Sequence, residues 1–105
     1  MQNITKLAHE HGCMVIVDSV TGLVGSELRV DEWEIDAIYS GTQKCLSAPP
    51  GLSPISFNER AAQKIKSRTS KVQSWFLDLN LIMGYWAGDN NCLLYTSDAA
   101  DEYDR

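Results

Sequence analysis

Val15-Ile16-Val17-Asp18 and Ser40-Gly41-Thr42-Gln43-Lys44 are the two stretches on which the fold of this chain turns. The first is a β-branched run ended by an acid. The second follows another apolar stretch, Ile35 to Tyr39, and turns through Ser-Gly before it reaches a lysine. Each reads as a short strand that delivers a polar group at its carboxyl end. Two such strands in an α/β sheet bring the carboxylate and the amine to one edge, and that edge is where open α/β sheets bind ligands. An acid able to hold a protonated ring nitrogen, facing an amine able to form an imine, is suited to chemistry on a carbonyl cofactor.

Working outward, Ile4, Leu7 and Ala8 recur at helical spacing, and Gly12 stands where a C′ glycine ends a helix. Residues 2–11 therefore read as a helix running into the first strand. Thr21 to Gly25 reads as a turn, and Glu27 to Glu34 as an acidic connection anchored by Leu28, Val30 and Trp33. Pro49-Pro50-Gly51 forces a sharp break, because proline continues neither a ladder nor a helix. Leu52 to Phe57 then reads as a third strand, with Pro54 pointing to an edge or a bulge. Asn58 is placed to cap a helix whose apolar positions are Ala61, Ala62 and Ile65. Trp75 to Trp86 reads as a further helix, buried on most sides. The pattern is α/β: a partial, mostly parallel sheet with flanking helices.

Several segments together resemble the class V branch of the fold-type I pyridoxal phosphate enzymes, and within it the alanine–glyoxylate and serine–glyoxylate aminotransferases. They are Leu7-Ala8-His9-Glu10-His11-Gly12, Val15 to Val20, Asp31-Glu32-Trp33, Ile35-Asp36, and Ser40 to Lys44 running on to Ala48-Pro49-Pro50-Gly51. Leu77-Asp78-Leu79 and Gly84-Tyr85-Trp86 continue it, so the resemblance covers about residues 2–91. It implies that residues 1–91 are a fragment of the cofactor-binding large domain of a longer enzyme, with pyridoxal phosphate as cofactor. It also implies a role for each motif residue. Lys44 holds the cofactor as an imine and then moves a proton on the substrate. Asp18 pairs with the pyridine nitrogen, Val20 packs against the cofactor ring, and Gln43 helps to hold the phosphate. The implied substrates are an amino acid and a 2-oxo acid, and the implied assembly is a homodimer.

Gln43 separates branches of the class, because cysteine desulfurases and many related decarboxylases carry His before the lysine. Phosphoserine aminotransferases also use Gln-Lys, but they lack the Ala-Pro-Pro-Gly continuation. Outside the class, a phosphoacceptor receiver domain needs an acidic pair near its first strand and a separate Ser/Thr strand, and neither fits between Asp18 and Lys44. A noncatalytic α/β binding domain descended from the aminotransferase fold is the other alternative, set against the intact Asp18, Gln43 and Lys44.

Composition excludes other classes. Hydrophobic residues make up 44% and charged residues 22%, as in ordinary globular domains. Arg60, Lys64, Lys66, Arg68 and Lys71 cluster, but no aromatic residue interleaves with them and the chain is acidic, so they read as a solvated helix face rather than a nucleic-acid surface. No stretch approaches the roughly 20 apolar residues of a membrane span. Cys13 and Cys45 lack metal-ligand spacing and suit a reducing compartment, giving a cytoplasmic expectation in which organellar targeting stays open. His9 and His11 point different ways on a helix, so they read as helix-end histidines favoured by the dipole rather than metal ligands. Residues 92–105 resemble the translation of a sequencing-library adapter and read as a non-native tail. Most of the formal net charge of −5 lies there, with Asp98, Asp101, Glu102 and Asp104 set against Arg105.

Overall fold

A computed structural model describes residues 1–86, and the chain divides into two compact units, Met1–Lys64 and Ile65–Arg105. The tail expected over 92–105 lies outside the described residues. In the first unit, α1 (Gln2–Glu10) is ended by Gly12 at φ +71°. The Gly12 N–H donates to the His9 carbonyl and the Cys13 N–H to the Ala8 carbonyl, the two bonds of a Schellman cap. The chain then enters β1 (Ile16–Asp18), and β2 (Ala37–Tyr39) lies beside it in parallel, pairing Ile16 with Ala37 and Asp18 with Tyr39.

The third strand departs from a mostly parallel sheet. β3 (Ile55–Phe57) runs antiparallel to β2, so the sheet is mixed, in the order β1-β2-β3. A parallel return needs a crossover, usually a helix. Residues 40–54 instead fold back along β2, with the Ser40 N–H donating to the Pro54 carbonyl and the Thr42 N–H to the Leu52 carbonyl. Pro54 thus serves as an acceptor just ahead of an edge strand, where its missing N–H costs no ladder bond.

Asn58 caps α2 (Glu59–Lys66) as its position implied: its Oδ1 accepts from the Ala61 N–H at 2.8 Å. Among the described residues the buried apolar side chains are Val15, Ile35, Ile38, Ala61 and Ala62. The expected apolar face of α1 is not the one turned inward. Ile4 and Leu7 are exposed, whereas Thr5 is buried and His9 half-buried.

Asp36 supplies the reason. It has no exposed surface, and its Oδ2 lies 2.7 Å from both His9 Nε2 and the Val15 N–H, while Asn58 Nδ2 donates to Oδ1 at 3.1 Å. One carboxylate thereby joins α1, the entry to β1, the entry to β2 and the cap of α2. Burial alone would raise its pKa. The bonds from His9, Val15 and Asn58, with the charge of His9, outweigh that and hold it below the ordinary 3.8. An ionised carboxylate can only accept, so His9 carries its proton on Nε2. His9 thus bonds the buried Asp36 from the last turn of α1, where a helix-end histidine was expected, and His11 Nδ1 lies 2.9 Å from the Leu7 carbonyl.

In the second unit the expected single buried helix is divided. A 3-10 turn (Trp75–Leu77) ends at Asp78, whose Oδ1 accepts from the Asn80 N–H to open α3 (Leu79–Trp86). The extended backbone of Asp78 interrupts the helix, and Trp75, Phe76, Leu77 and Leu81 are exposed rather than buried. No helix among the described residues is long and apolar enough to cross a membrane.

Candidate functional site

The carboxyl ends of β1 and β2 are tied by their serines. Ser19, next after Asp18, donates through N–H and Oγ to the Tyr39 carbonyl at 2.9 and 2.7 Å, and Ser40 Oγ returns a bond to the Ser19 carbonyl at 3.0 Å. Both serines are buried. The loop after Asp18 and the loop carrying Lys44 consequently leave the sheet side by side.

The lysine loop closes on itself. Thr42 Oγ1 donates to the Pro49 carbonyl at 2.6 Å, the Ala48 N–H to the Thr42 carbonyl at 2.9 Å, and the Ser47 N–H to the Lys44 carbonyl at 2.9 Å. Ser47 sits at φ +57° to make that turn. The loop is also fastened to its neighbour, since the Cys45 thiol donates to the Thr21 carbonyl at 3.1 Å. A β-carbon on Gly25 would stand 2.6 Å from Cys45 Sγ and 3.2 Å from the Thr21 carbonyl oxygen, so only glycine lets the loops approach this closely. Gly25→Ala should therefore displace the thiol and lower stability by about 1 kcal/mol or more. Adding Cys45→Ala, which removes the nearest obstacle, should recover part of the loss of thermal midpoint.

Each residue singled out in the sequence has a definite place here. Asp18 is exposed at the end of β1, its Oδ1 held by the Val20 N–H at 3.0 Å. Val20 is half-buried, and Gln43 folds back over the loop: a β-carbon on Gly41 would meet Gln43 Oε1 at 2.9 Å and Val20 Cγ1 at 3.6 Å. With no side chain at Gly41, the Gln43 amide folds into that space, with Val20 in van der Waals range of it. Lys44 is exposed and enters no ion pair among the described residues. Asp18, Val20 and Gln43 are brought together through the two loops, with Lys44 next to Gln43 in the second. Among the described residues no group of three His, Cys, Asp or Glu side chains could hold a metal ion.

Tyr39 was not singled out in the sequence, where it reads as the last apolar residue before the Ser-Gly turn. It is the register partner of Asp18 in the β1–β2 pair, and interaction with that carboxylate raises its phenol above the usual 10.0. The available signal was positional: Tyr39 ends its strand as Asp18 ends the neighbouring one.

Comparison with known proteins finds relatives of the chain. Residues 1–75 match the family described as aminotransferase class-V. An alanine–glyoxylate aminotransferase of Drosophila melanogaster is 41% identical over 86 residues, which is 82% of this chain and 22% of that protein. The crystal structure of an alanine–glyoxylate aminotransferase from Nostoc sp. superposes with a TM-score of 0.76 at 38% identity, over 85% of this chain and 24% of the other. A ureidoglycine–glyoxylate aminotransferase from Bacillus subtilis gives 0.77 at 42%, over 82% and 22%. The chain thus spans under a quarter of the length of these relatives.

Proposed function

The chain belongs to the class-V aminotransferase family, and from that premise we propose that it is a segment of the cofactor-binding domain of a longer enzyme. That enzyme transfers an amino group from alanine or serine to glyoxylate or a similar 2-oxo acid. Pyridoxal phosphate, the cofactor of the family, supplies a carbonyl that carries the amino group and a protonated ring that draws electrons from the substrate α-carbon.

The observation that carries the reading is the joining of the Asp18 and Lys44 loops at one sheet edge. The donor set fits the cofactor: an exposed carboxylate, an exposed amine, a side-chain amide and an apolar branched side chain, carried on two loops bonded to each other. Asp18 would keep the ring nitrogen protonated. Val20 would pack against the ring, and Gln43 would donate its amide to the phosphate. Lys44 would hold the cofactor covalently, yield that bond to the incoming substrate, and then act as the base that moves the α-proton. The complete enzyme works as a homodimer on this reading.

Assays of the full-length protein with alanine, serine and phosphoserine as donors, and glyoxylate, pyruvate and 2-oxoglutarate as acceptors, test the reaction. Alanine or serine with glyoxylate should be preferred. Exclusive use of phosphoserine with 2-oxoglutarate would select a different aminotransferase of the same class, and desulfuration or decarboxylation without amino transfer would reject the proposal.

A further inference from the structure

We infer that Thr42 is a positioning residue for Lys44, its buried hydroxyl closing the loop that sets the direction of the amine; the inference rests on the function proposed above. Lys44 is exposed, so packing around its side chain does not aim it. Its direction comes from the main chain of the loop that carries it.

The sequence makes that loop hard to close. Pro49 and Pro50 have no N–H, so at these two positions the returning limb can accept hydrogen bonds but cannot donate them from its main chain. A closing bond there needs a donor from the outgoing limb. Thr42 supplies it, because its Oγ1 donates to the Pro49 carbonyl at 2.6 Å, while its N–H donates to the Leu52 carbonyl at 3.3 Å and its own carbonyl accepts from the Ala48 N–H at 2.9 Å. All three polar groups of Thr42 are thus spent on the returning limb. At 8% exposure the residue is also largely closed to the water that would compete for them.

The restraint reaches Lys44 from both sides. The Lys44 carbonyl accepts from the Ser47 N–H at 2.9 Å, and the next residue, Cys45, is held by its thiol to the Thr21 carbonyl at 3.1 Å. With Thr42 fixed before it and Cys45 after it, the main chain at Lys44 is set before any ligand arrives, which is the preorganisation that a proton-moving base requires. The Thr42 hydroxyl is the closing contact that a substitution removes without altering the main chain.

Thr42→Val keeps the branched shape and removes the donor, whereas Thr42→Ser keeps the donor. In the full-length enzyme Thr42→Val should lower kcat about tenfold with KM for the amino donor little changed, because a misdirected base slows proton transfer more than it weakens binding. Thr42→Ser should restore most of that loss. The cofactor-free midpoint of Thr42→Val should fall by only a few degrees, since the Pro49 carbonyl is exposed and water can replace the lost donor. A second readout needs no turnover: hydrogen exchange at the Ser47 and Ala48 amides of the cofactor-free enzyme should quicken several-fold in Thr42→Val and stay near the unsubstituted rate in Thr42→Ser. Undiminished kcat or unchanged exchange in Thr42→Val, a Thr42→Ser enzyme as slow as Thr42→Val, or a Thr42→Val protein that fails to fold would overturn the positioning role while leaving the proposed function intact. Absence of the cofactor from Lys44 in the unsubstituted enzyme would overturn both.

Discussion

Lys44→Ala should reduce turnover of the full-length enzyme by about 10⁴-fold or more while leaving the thermal midpoint of the cofactor-free protein close to that of the unsubstituted one. The loss is large because one amine is assigned two tasks, the covalent hold on the cofactor and the proton transfer on the substrate, and general base catalysis alone contributes roughly 10²–10⁴-fold. The stability is spared because the Lys44 side chain is exposed and unpaired with any acid among the described residues, and substitutions at such positions usually stay within about 0.5 kcal/mol. Lys44→Arg should fail as completely. A guanidinium keeps its proton at all working pH values, so it can neither attack a carbonyl nor accept the substrate α-proton. Steady-state kinetics set beside thermal unfolding checks both halves. An inactive Lys44→Ala protein whose cofactor-free midpoint is many degrees lower would show a structural lysine instead.

Asp36→Ala should have the opposite signature, a large loss of stability at a position remote from the chemistry. The substitution leaves the Val15 N–H without its acceptor in a buried place and frees His9 and Asn58 from the same carboxylate. Breaking a buried charged pair in this way costs about 3–5 kcal/mol. The denaturant midpoint should fall accordingly, and an unchanged midpoint would contradict the linkage of α1, β1, β2 and α2 through this one side chain. The pH dependence follows from the direction of its shift. The folded-state pKa lies below the unfolded value of about 3.8, so the unfolded chain binds the proton first as pH falls. The stabilisation is fully present above about pH 5 and is lost as pH drops through the unfolded value to the folded pKa. Between neutral pH and pH 5 the unsubstituted protein should show no loss from this group, and Asp36→Ala should lack the acid-limb contribution.

The contrast between these two residues marks which features are legible in the sequence alone. Lys44 announces itself through its neighbours in the chain. Ser40 and Gly41 make the turn, Gln43 precedes the amine, and the Pro-Pro-Gly break follows, all local chemistry. Gly12 and Asn58 were legible for the same reason, since a cap is decided within one turn of a helix. Asp36 had no such signature. Its partners stand in three other segments, and sequence spacing does not encode that a histidine of α1 and the asparagine capping α2 converge on it.

The other differences have the same origin. The third strand was visible as an apolar run, but its direction depends on where the loop from Ser40 to Pro54 finds its hydrogen bonds, which are long-range. Trp75 to Trp86 carries the composition of a buried helix, yet Asp78 breaks it and Trp75, Phe76, Leu77 and Leu81 are exposed. In the candidate site, Asp18, Val20, Gln43 and Lys44 could be named from motif chemistry, whereas Tyr39 could not. Its relation to Asp18 is a matter of strand register, and a slip of one residue would have turned it to the other face.

The central claim, that Lys44 is the residue joined to the cofactor, can be tested by covalent trapping. The full-length protein, purified with pyridoxal phosphate, is treated with borohydride to reduce the link between cofactor and lysine, digested, and its peptides are sequenced by mass spectrometry. The cofactor-derived mass should lie on Lys44, in the peptide that contains Ser40-Gly41-Thr42-Gln43 or begins directly after it. A label on any other lysine, or none on a protein that turns over alanine and glyoxylate, would contradict the account.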